Sequence, residues 1–328
     1  MNRRPICGRR PVVSISTNTL SREGGARAVT FCFPDHGSES MKIPGFWSKA
    51  TVQETDREGR EIASSCWRSS DKSPEDAHES ALVAARRILS AVLRKDRLNR
   101  YEYGQVPLRE EVLERFTNSR GELLAALTRN RYGAIILNTA RAMFIDLDFP
   151  PVSPGNDFRY WLAKIFRKST RSPDAAREEN TRRTLERYVT EHPSWSVRVY
   201  RTLAGLRALV THELFDPTSG PTLDVLQTLG ADPLYVRLCQ AQECFRARLT
   251  PKPWRCGHTS NVVPWPREGV GPQQQFDEWE AGYSSRQANF ATCRFLGTLG
   301  GNRVHPDVER IIELHDDATR CNEKLSLA

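Results

Sequence analysis

Residues 134–150 read AIILNTARAMFIDLDFP, and the predicted fold is built outward from this stretch. Two apolar runs flank a polar break at 138–139, and the second run ends in Asp146-Leu147-Asp148. Side chains two residues apart in a strand project from the same face. The pattern therefore predicts two adjacent strands joined by a short turn, with the carboxylates of Asp146 and Asp148 together at the end of the second strand.

A carboxylate pair in this position indicates a site for a divalent metal ion. Mg²⁺ and Mn²⁺ prefer hard oxygen ligands and complete their shells with water and phosphate oxygens. Two such ions stabilise both the attacking and the leaving oxygen of a phosphoryl transfer. Asp146 and Asp148 are therefore the candidate metal ligands and catalytic residues. The alternative is that both acids face solvent or cap a helix.

Downstream of this stretch, hairpins alternate with helices. Helices are predicted at 157–168, 172–190, 220–229 and 232–241, and strands at 196–202, 206–212 and 245–250. Because the helices lie between hairpins instead of alternating singly with strands, the order indicates an α+β fold. We predict an antiparallel, ferredoxin-like or RRM-like sheet with helices on one face, spanning residues 105–255.

Upstream, a small ββα module is predicted at 26–104, after a flexible segment at 1–25. A strand is expected at 28–33, a hairpin at 48–56 and 61–68, and a helix from Ser73 to about Arg94, where Ser73 is the N-cap and a proline follows. A polar connection at 95–107 and a short helix at 108–116 lead into the α+β domain. Residues 256–328 are Pro- and Gln-rich at first and then helical, at 276–290 and 306–324.

The composition favours a globular protein with a polyanionic partner. The 328 residues include 48 Lys and Arg against 40 Asp and Glu, a formal net charge of +8, and no apolar run approaches the roughly 20 residues that span a bilayer. Nucleic acid is the first candidate partner and a membrane is not expected. The alternative is an arginine-rich composition inherited from a GC-rich genome. We expect a cytoplasmic location, because no apolar signal segment follows the basic first residues.

The hairpin at 201–212 carries the candidate phosphate ligands. Gly205 lies at its turn, where a backbone can approach a phosphate closely. Arg201 and Arg207 are predicted to bind phosphate, and His212 is a candidate contact to a nucleotide. Strand alternation places Arg207 and His212 on opposite faces, so His212 has the alternative of being an ordinary strand-end histidine.

Residues 245–255, FRARLTPKPWR, concentrate positive charge around one aromatic ring. Arg248, Lys252 and Arg255 are predicted to contact a nucleic-acid backbone, while Trp254 stacks on a base. The alternative is that the indole plugs an edge of the core. Arg129, in the polar turn before the opening stretch, is a further candidate contact to the substrate.

The chain has eight cysteines and no CxxC motif. Cys239, Cys244, Cys256 and His258 could supply four zinc ligands, but their spacing matches no zinc knuckle. Buried free thiols are the preferred interpretation.

The succession from 120 to 250 resembles the catalytic module of the archaeo-eukaryotic primase superfamily. Its first motif, an apolar strand ending in Asp-x-Asp, is matched by FIDLD at 144–148. Its second, a small-residue turn with glycine, is matched at 202–207, with Arg207 where that family has histidine. For its third motif, a later single acid, Asp216 is the nearest candidate in chain order. The chain is also similar to a group of bacterial proteins that share TRNRYGAIILNT (128–139) and RLTPKPWR (248–255), which implies a bacterial origin.

The resemblance implies a Mg²⁺- or Mn²⁺-dependent nucleotidyltransferase that resembles a primase-polymerase and uses nucleotides and a nucleic-acid template. In that role Asp146 and Asp148 hold metal, while Arg201, Arg207 and His212 hold the triphosphate. Two alternatives remain at this point: a non-catalytic nucleic-acid-binding protein of the same fold, and a metal-dependent nuclease.

Overall fold

The computed structural model describes residues 41–96, 107–149, 173–261 and 263–328. The strands within these ranges are β1 (Phe46–Thr55), β2 (Glu61–Ser70), β3 (Glu111–Thr117), β4 (Leu123–Arg129), β5 (Ile135–Thr139), β6 (Phe144–Asp148), β7 (Ser196–Thr202), β8 (Gly205–Val210), β9 (Phe245–Arg248), β10 (Phe290–Ala291), β11 (Cys293–Gly300) and β12 (Ser326–Leu327). The helices are α1 (Pro74–Leu93), α2 (Pro173–Glu191), α3 (Gly220–Thr228), α4 (Pro233–Gln242), α5 (Val270–Gln287) and α6 (Pro306–Thr319), with a 3₁₀ turn at Pro253–Cys256.

The ββα unit forms as its sequence predicts. Strands β1 and β2 pair in antiparallel register, and helix α1 packs on them. The hydroxyl of Ser73 accepts a hydrogen bond from the Asp76 backbone N–H, and Pro74 occupies the first helical position. The alanines at 77, 81 and 85, spaced one turn apart, are buried, so the helix lies close to the hairpin.

A first four-stranded antiparallel sheet has the order β3-β4-β5-β9. Its inner strands β4 and β5 are almost entirely buried. In β5 the side chain of Asn138 donates to the Ala126 carbonyl and to the Thr128 hydroxyl, so this buried amide has partners.

The second four-stranded antiparallel sheet, of order β11-β7-β8-β6, carries the acid pair, defined as Asp146 and Asp148. One face carries Ile145, Leu147 and Leu206, which join the core with Leu185 of α2. Each such apolar side chain contributes about 1.5–3 kcal/mol by leaving water. The other face carries the acid pair and Arg207, and its neighbours come from α6 and β9.

The predicted α+β class with antiparallel sheets is confirmed, but the expected pairing of the two strands in the opening stretch is wrong. Strand β5 pairs with β4 and β9, whereas β6 pairs with β8. The link between them is anchored by the Thr139 hydroxyl, which donates to the Ala142 carbonyl at 2.7 Å. The apolar residues of β5 and β6 show which faces are buried, but not which strand each of them pairs with.

Two further expectations are corrected. The segment predicted as a helix at 108–116 forms the edge strand β3, because pairing with β4 overrides its weak helical pattern. Strand β11, which completes the second sheet, was not predicted, since a bulge between Phe295 and Gly297 interrupts its alternation. The predicted elements at 28–33 and 157–168 lie outside the described residues.

Strand β4 and the two-residue strands β10 and β12 were not predicted either. The other described helices and strands follow their predictions within a few residues, except that α5 begins earlier, at Val270, and α6 ends earlier, at Thr319. Among the described helices, none has the length and apolar character needed to cross a membrane.

Candidate metal and phosphate site

Strand β6 places the acid pair at its carboxyl end, against strand β8. Asp146 lies opposite Arg207, and Asp148 lies opposite Gly205. A Cβ atom on Gly205 would come within 2.3 Å of the Leu147 carbonyl oxygen and 3.0 Å of the Asp148 Cα. The glycine is therefore required by the approach of β6, which brings the acid pair next to the β7–β8 turn.

A third carboxylate lies near the acid pair, from a residue that the sequence did not single out. The backbone N–H of Asp232 donates to the Asp146 carbonyl at 3.1 Å. Partial burial, and then the charges of Asp146 and Asp232, raise the pKa of Asp148. The Asp232 carboxylate caps helix α4 by accepting from the N–H groups of Leu234 and Tyr235. Asp146 and Asp232 thus repel the charge of the Asp148 carboxylate, and a bound cation would reduce that repulsion.

Four basic side chains share the electrostatic environment of the acid pair, and we call them the basic cradle: Arg207, Arg248, Lys252 and Arg255. Burial, together with mutual repulsion, lowers the pKa of Arg248 to about 10 and also lowers the pKa of Lys252. Burial lowers the pKa of Arg255 as well, and the charges of the acid pair oppose that change.

The positive charges and hydrogen-bond donors of the basic cradle have only some of their partners within the protein. The Nε of Arg248 is buried without a hydrogen-bond partner among the described residues. Of the four cradle side chains and the acid pair, none forms a described ion pair with another. A buried donor left unpaired destabilises the fold by about 1–3 kcal/mol, so an anionic ligand would gain interactions that the free protein lacks.

Arg207 is held by a histidine from the distant helix α6. Its Nη1 donates to the Arg248 carbonyl at 2.9 Å and lies 3.2 Å from Nε2 of His315. Since an arginine can only donate, Nε2 accepts and the proton of the neutral ring is on Nδ1. That Nδ1 donates to Asp316 at 2.9 Å. Burial lowers the pKa of His315 to about 4, in agreement with a neutral ring.

The histidine is fixed in turn by a network on strand β7. Asp316 accepts from the Tyr200 hydroxyl at 2.8 Å and pairs with Arg198. Burial raises the pKa of the Asp316 carboxyl, but hydrogen bonds from His315 and Tyr200 and the charge of Arg198 bring it below its ordinary value. The network therefore runs from β7 through α6 to Arg207 beside the acid pair.

An exposed aromatic pair borders the cradle. Trp254 and Tyr132 are about half exposed, and their rings meet edge to face with centroids 5.2 Å apart. The Lys252 ammonium lies 5.5 Å from the centroid of the Trp254 ring. The indole is about half exposed and does not plug a core edge.

His212, a candidate contact to a nucleotide, lies away from this cluster. His212 follows the opposite end of β8, about 17 Å along the strand from Arg207 at the usual rise per residue. It is buried against the rings of Trp195 and Phe215, and burial lowers its pKa. These surroundings fit the alternative interpretation of His212 as an ordinary strand-end histidine.

Arg129 and Arg201 are engaged within the protein. Arg129 is buried and pairs with Glu111 and Glu280. Arg201 pairs with Glu178 of α2 at 2.8 Å, donates to the carbonyls of the β7–β8 turn, and lies over Phe149. It projects from the sheet face opposite Arg207, so it braces the turn.

Asp216 and the cysteine group do not join the site. The Asp216 carboxylate accepts from the backbone and hydroxyl of Thr218 in the turn before α3. His258 packs between Trp279 and Tyr283, and Cys256 donates to the Pro253 carbonyl. Within the described ranges, no three His, Cys, Asp or Glu side chains are arranged as ligands of one metal ion, and this includes the acid pair with Asp232.

Asp232, His315 and Asp316 are the site residues that sequence reasoning missed. Asp232 was recognised only as the start of a helix, where it precedes Pro233. His315 donates to its neighbour Asp316 in α6, but its contacts with Arg207 and Tyr200 come from the distant strands β8 and β7. No local pattern reveals such long-range partners.

The comparisons with known proteins add no relative to this description. No family model matches the chain, and neither the curated proteins nor the solved structures give a significant match.

Proposed function

We propose that this chain is a Mg²⁺- or Mn²⁺-dependent nucleotidyltransferase that resembles a primase-polymerase and acts on nucleic acid. The observation that carries the proposal is the proximity of the acid pair to the basic cradle. Carboxylates for a cation and guanidinium groups for phosphates, side by side, are what a metal-bound triphosphate requires.

The residues present fit a hydrated Mg²⁺ ion. Such an ion is commonly held by one or two carboxylates, with water and substrate phosphates filling its remaining positions. Asp146 and Asp148 would supply the carboxylates. Burial first, and then the charges of Asp146 and Asp232, raise the pKa of Asp148, and a bound cation would offset the repulsion between these carboxylates. When bound, the ion neutralises charge on the transferring phosphate.

The basic cradle would hold the triphosphate in line for transfer. The oxygen of a strand's 3′-hydroxyl attacks the α-phosphorus, the bond to the bridging oxygen of the β-phosphate breaks, and pyrophosphate leaves while the hydroxyl proton passes to water. Arg207 and Arg248 supply fixed positive charge to the phosphates. Because His315 orients Arg207 in advance, little reorganisation is needed during the reaction.

The finer description of the fold also remains a proposal. If β9 and β10, which belong to other sheets, are set aside, the order β6, α2, β7, β8, further helices and β11 follows the strand-helix-strand-strand-helix-strand succession of a ferredoxin-like unit. In such a unit the first and third strands are central, whereas β7 and β8 are central here. The likeness thus rests on succession alone. A cytoplasmic location is likewise proposed, since the six described cysteines are free and buried.

The test is an extension assay with labelled single-stranded DNA primer and template, Mn²⁺ and the four nucleotides. Asp146→Asn should reduce incorporation about 10²- to 10³-fold, the range seen when an essential electrostatic group is removed, with unchanged circular dichroism. The matched control is Asp224→Asn, an exposed acid on α3, which should retain full activity.

The same assay separates the alternatives. Shortening of the labelled strand that requires Asp146 would identify a nuclease in place of a transferase. A mobility shift without extension or shortening, unaffected by metal and by Asp146→Asn, would identify a non-catalytic binding protein. Full extension by Asp146→Asn would reject the assignment of the acid pair.

A further inference from the structure

A cavity of about 190 Å³ opens between the start of β3, the β4–β5 turn, Asn261 and the segment at 264–267. We call it the arginine pocket, after Arg109 and Arg131 on its wall. It is smaller than the roughly 300 Å³ at which pockets for drug-sized ligands begin. Its size suits one unit of a longer ligand.

Most charges around the arginine pocket are compensated within the protein. Glu110 pairs with Arg246 at 2.8 Å, and Glu111 pairs with both Arg129 and Arg267. The Arg267 guanidinium also lies 3.6 Å from the centroid of the Phe276 ring. These groups are therefore structural and are not available to a ligand.

Two cations on the wall of the arginine pocket have no compensating carboxylate among the described residues. Nη1 of Arg109 is buried without a hydrogen-bond partner among the described residues, and the guanidinium is held over the Trp67 ring at 4.0 Å. Burial and the charge of Arg131 lower the pKa of Arg109. The exposed Arg131 forms no ion pair with a described residue. Two close cations without a counter-charge favour an anion between them.

The arginine pocket is continuous with the proposed catalytic site through one residue. Tyr132 lines the pocket and also meets Trp254 edge to face. The Tyr132 carbonyl accepts from the Asn261 backbone at 3.2 Å, so the wall of the pocket and the aromatic pair are tied together. Lys252, over the Trp254 ring, then leads to the acid pair.

We infer that an unpaired nucleic-acid strand runs from the acid pair across Trp254 and Tyr132 and places a phosphate between Arg109 and Arg131. Alternating aromatic faces and cations are how proteins bind single strands without reading their sequence. Trp265, on the pocket wall, is available to contact the base of the same nucleotide. The inference rests on the proposed function for the nature of the ligand, but it concerns binding and is tested without catalysis.

The experiment measures fluorescence anisotropy of labelled oligothymidylates of 4 and 12 nucleotides, with the full chain and EDTA, between 50 and 200 mM KCl. The short probe covers the catalytic edge, and the long probe reaches the arginine pocket. Arg109→Gln/Arg131→Gln should weaken binding of the long probe at least tenfold and leave the short probe unchanged. The salt slope of the long probe should fall by about 0.7, the value for one phosphate that is no longer neutralised on a single strand.

The control and a second variant make the result decisive. Arg86→Gln/Arg87→Gln removes the same charge from the exposed face of α1 and should change neither probe. Replacing Arg109 also removes its packing on Trp67. The single variant Arg131→Glu, at an exposed position, is therefore included, and it should also selectively weaken binding of the long probe. Equal losses for both probes, a loss matched by the control, or no loss would overturn the inference. If the protein fails to extend a primer but Arg109→Gln/Arg131→Gln selectively weakens binding of the long probe, the proposed function is rejected and the inference stands.

Discussion

Nη1 of Arg207 on strand β8 lies 3.2 Å from the buried Nε2 of His315 on helix α6. This contact fixes the tautomer of the histidine and the direction of the arginine together, because the arginine has no acceptor to offer. The residue that opposes Asp146 in the sheet is thereby held from the far side by the C-terminal helix.

Stability should fall in mild acid because of His315. In the folded protein its pKa is about 4, against 6.5 for an ordinary histidine, so the unfolded chain binds more protons between these values. The free energy of unfolding should therefore decrease by up to about 3 kcal/mol as the pH falls from about 6.5 to about 4. Urea unfolding of wild type and His315→Gln at pH 7.5, 6 and 5 tests this. The free energy of unfolding should depend less on pH in the variant than in wild type. His78→Gln, at an exposed site, should keep the wild-type profile, and parallel profiles for all three proteins would contradict the assignment.

Asp148→Asn should stabilise the free protein at neutral pH while removing its response to metal. Burial, Asp146 and Asp232 raise the pKa of Asp148 above 3.8, so its ionisation opposes folding at pH values above the raised pKa. The Tm of the variant should exceed that of wild type by about 2 °C at pH 7. The gain should vanish as the pH falls through the raised pKa toward 3.8. Adding Mn²⁺ should raise the Tm of wild type and of Asp224→Asn only, and calorimetry that shows a lower Tm for Asp148→Asn would reject the argument.

Arg248→Met should abolish the thermal stabilisation that a bound triphosphate gives to the protein. The buried Nε has no described partner, so removing the cation should leave the Tm of the free protein unchanged or slightly higher. Inorganic triphosphate at a hundredfold excess over its Kd should stabilise wild type by about 2.7 kcal/mol. Thermal unfolding with and without triphosphate and Mg²⁺ compares Arg248→Met with Arg237→Met, an exposed arginine of α4. A retained shift in Arg248→Met would show that the phosphate binds elsewhere.

Gly205→Ala should destabilise the second sheet. The added Cβ would meet the Leu147 carbonyl at 2.3 Å, and backbone cannot yield as a flexible side chain does. We expect a loss of about 1–3 kcal/mol in the free energy of unfolding. Gly271→Ala, in the first turn of α5 with open space around it, should instead gain up to about 0.5 kcal/mol. Urea titration measures both, and a neutral Gly205→Ala would mean that β6 can shift away from β8.

The local sequence pattern was sufficient to predict the strands and helices that bury one face, and those that carry clear capping residues at their ends. The β1–β2 hairpin alternates, and α1 begins at Ser73 with its cap and proline, so both were found within a few residues. Strand β6 was found from the apolar run before Asp146. Its partner was assigned wrongly, because the apolar residues of a strand show which face is buried but not which strand it pairs with.

The site was predicted where its residues are close in sequence or follow the strand period. Asp146 with Asp148, and Arg248 with Lys252, belong to two short stretches, and the structure brings these stretches together. Asp232 and His315 were missed because they join the site through a backbone hydrogen bond and through a contact between β8 and α6, respectively. Such contacts depend on the tertiary fold and leave no trace in a local window.

The support of Arg207 by helix α6 has a consequence for biosynthesis. The acid pair leaves the ribosome long before His315 and Asp316 do, so a nascent chain carries both carboxylates while Arg207 is still unanchored. Under the proposed function, nucleotide transfer should begin only after residues 306–319 have been translated and docked. A chain that ends before α6 should therefore lack transfer activity even though it contains Asp146 and Asp148.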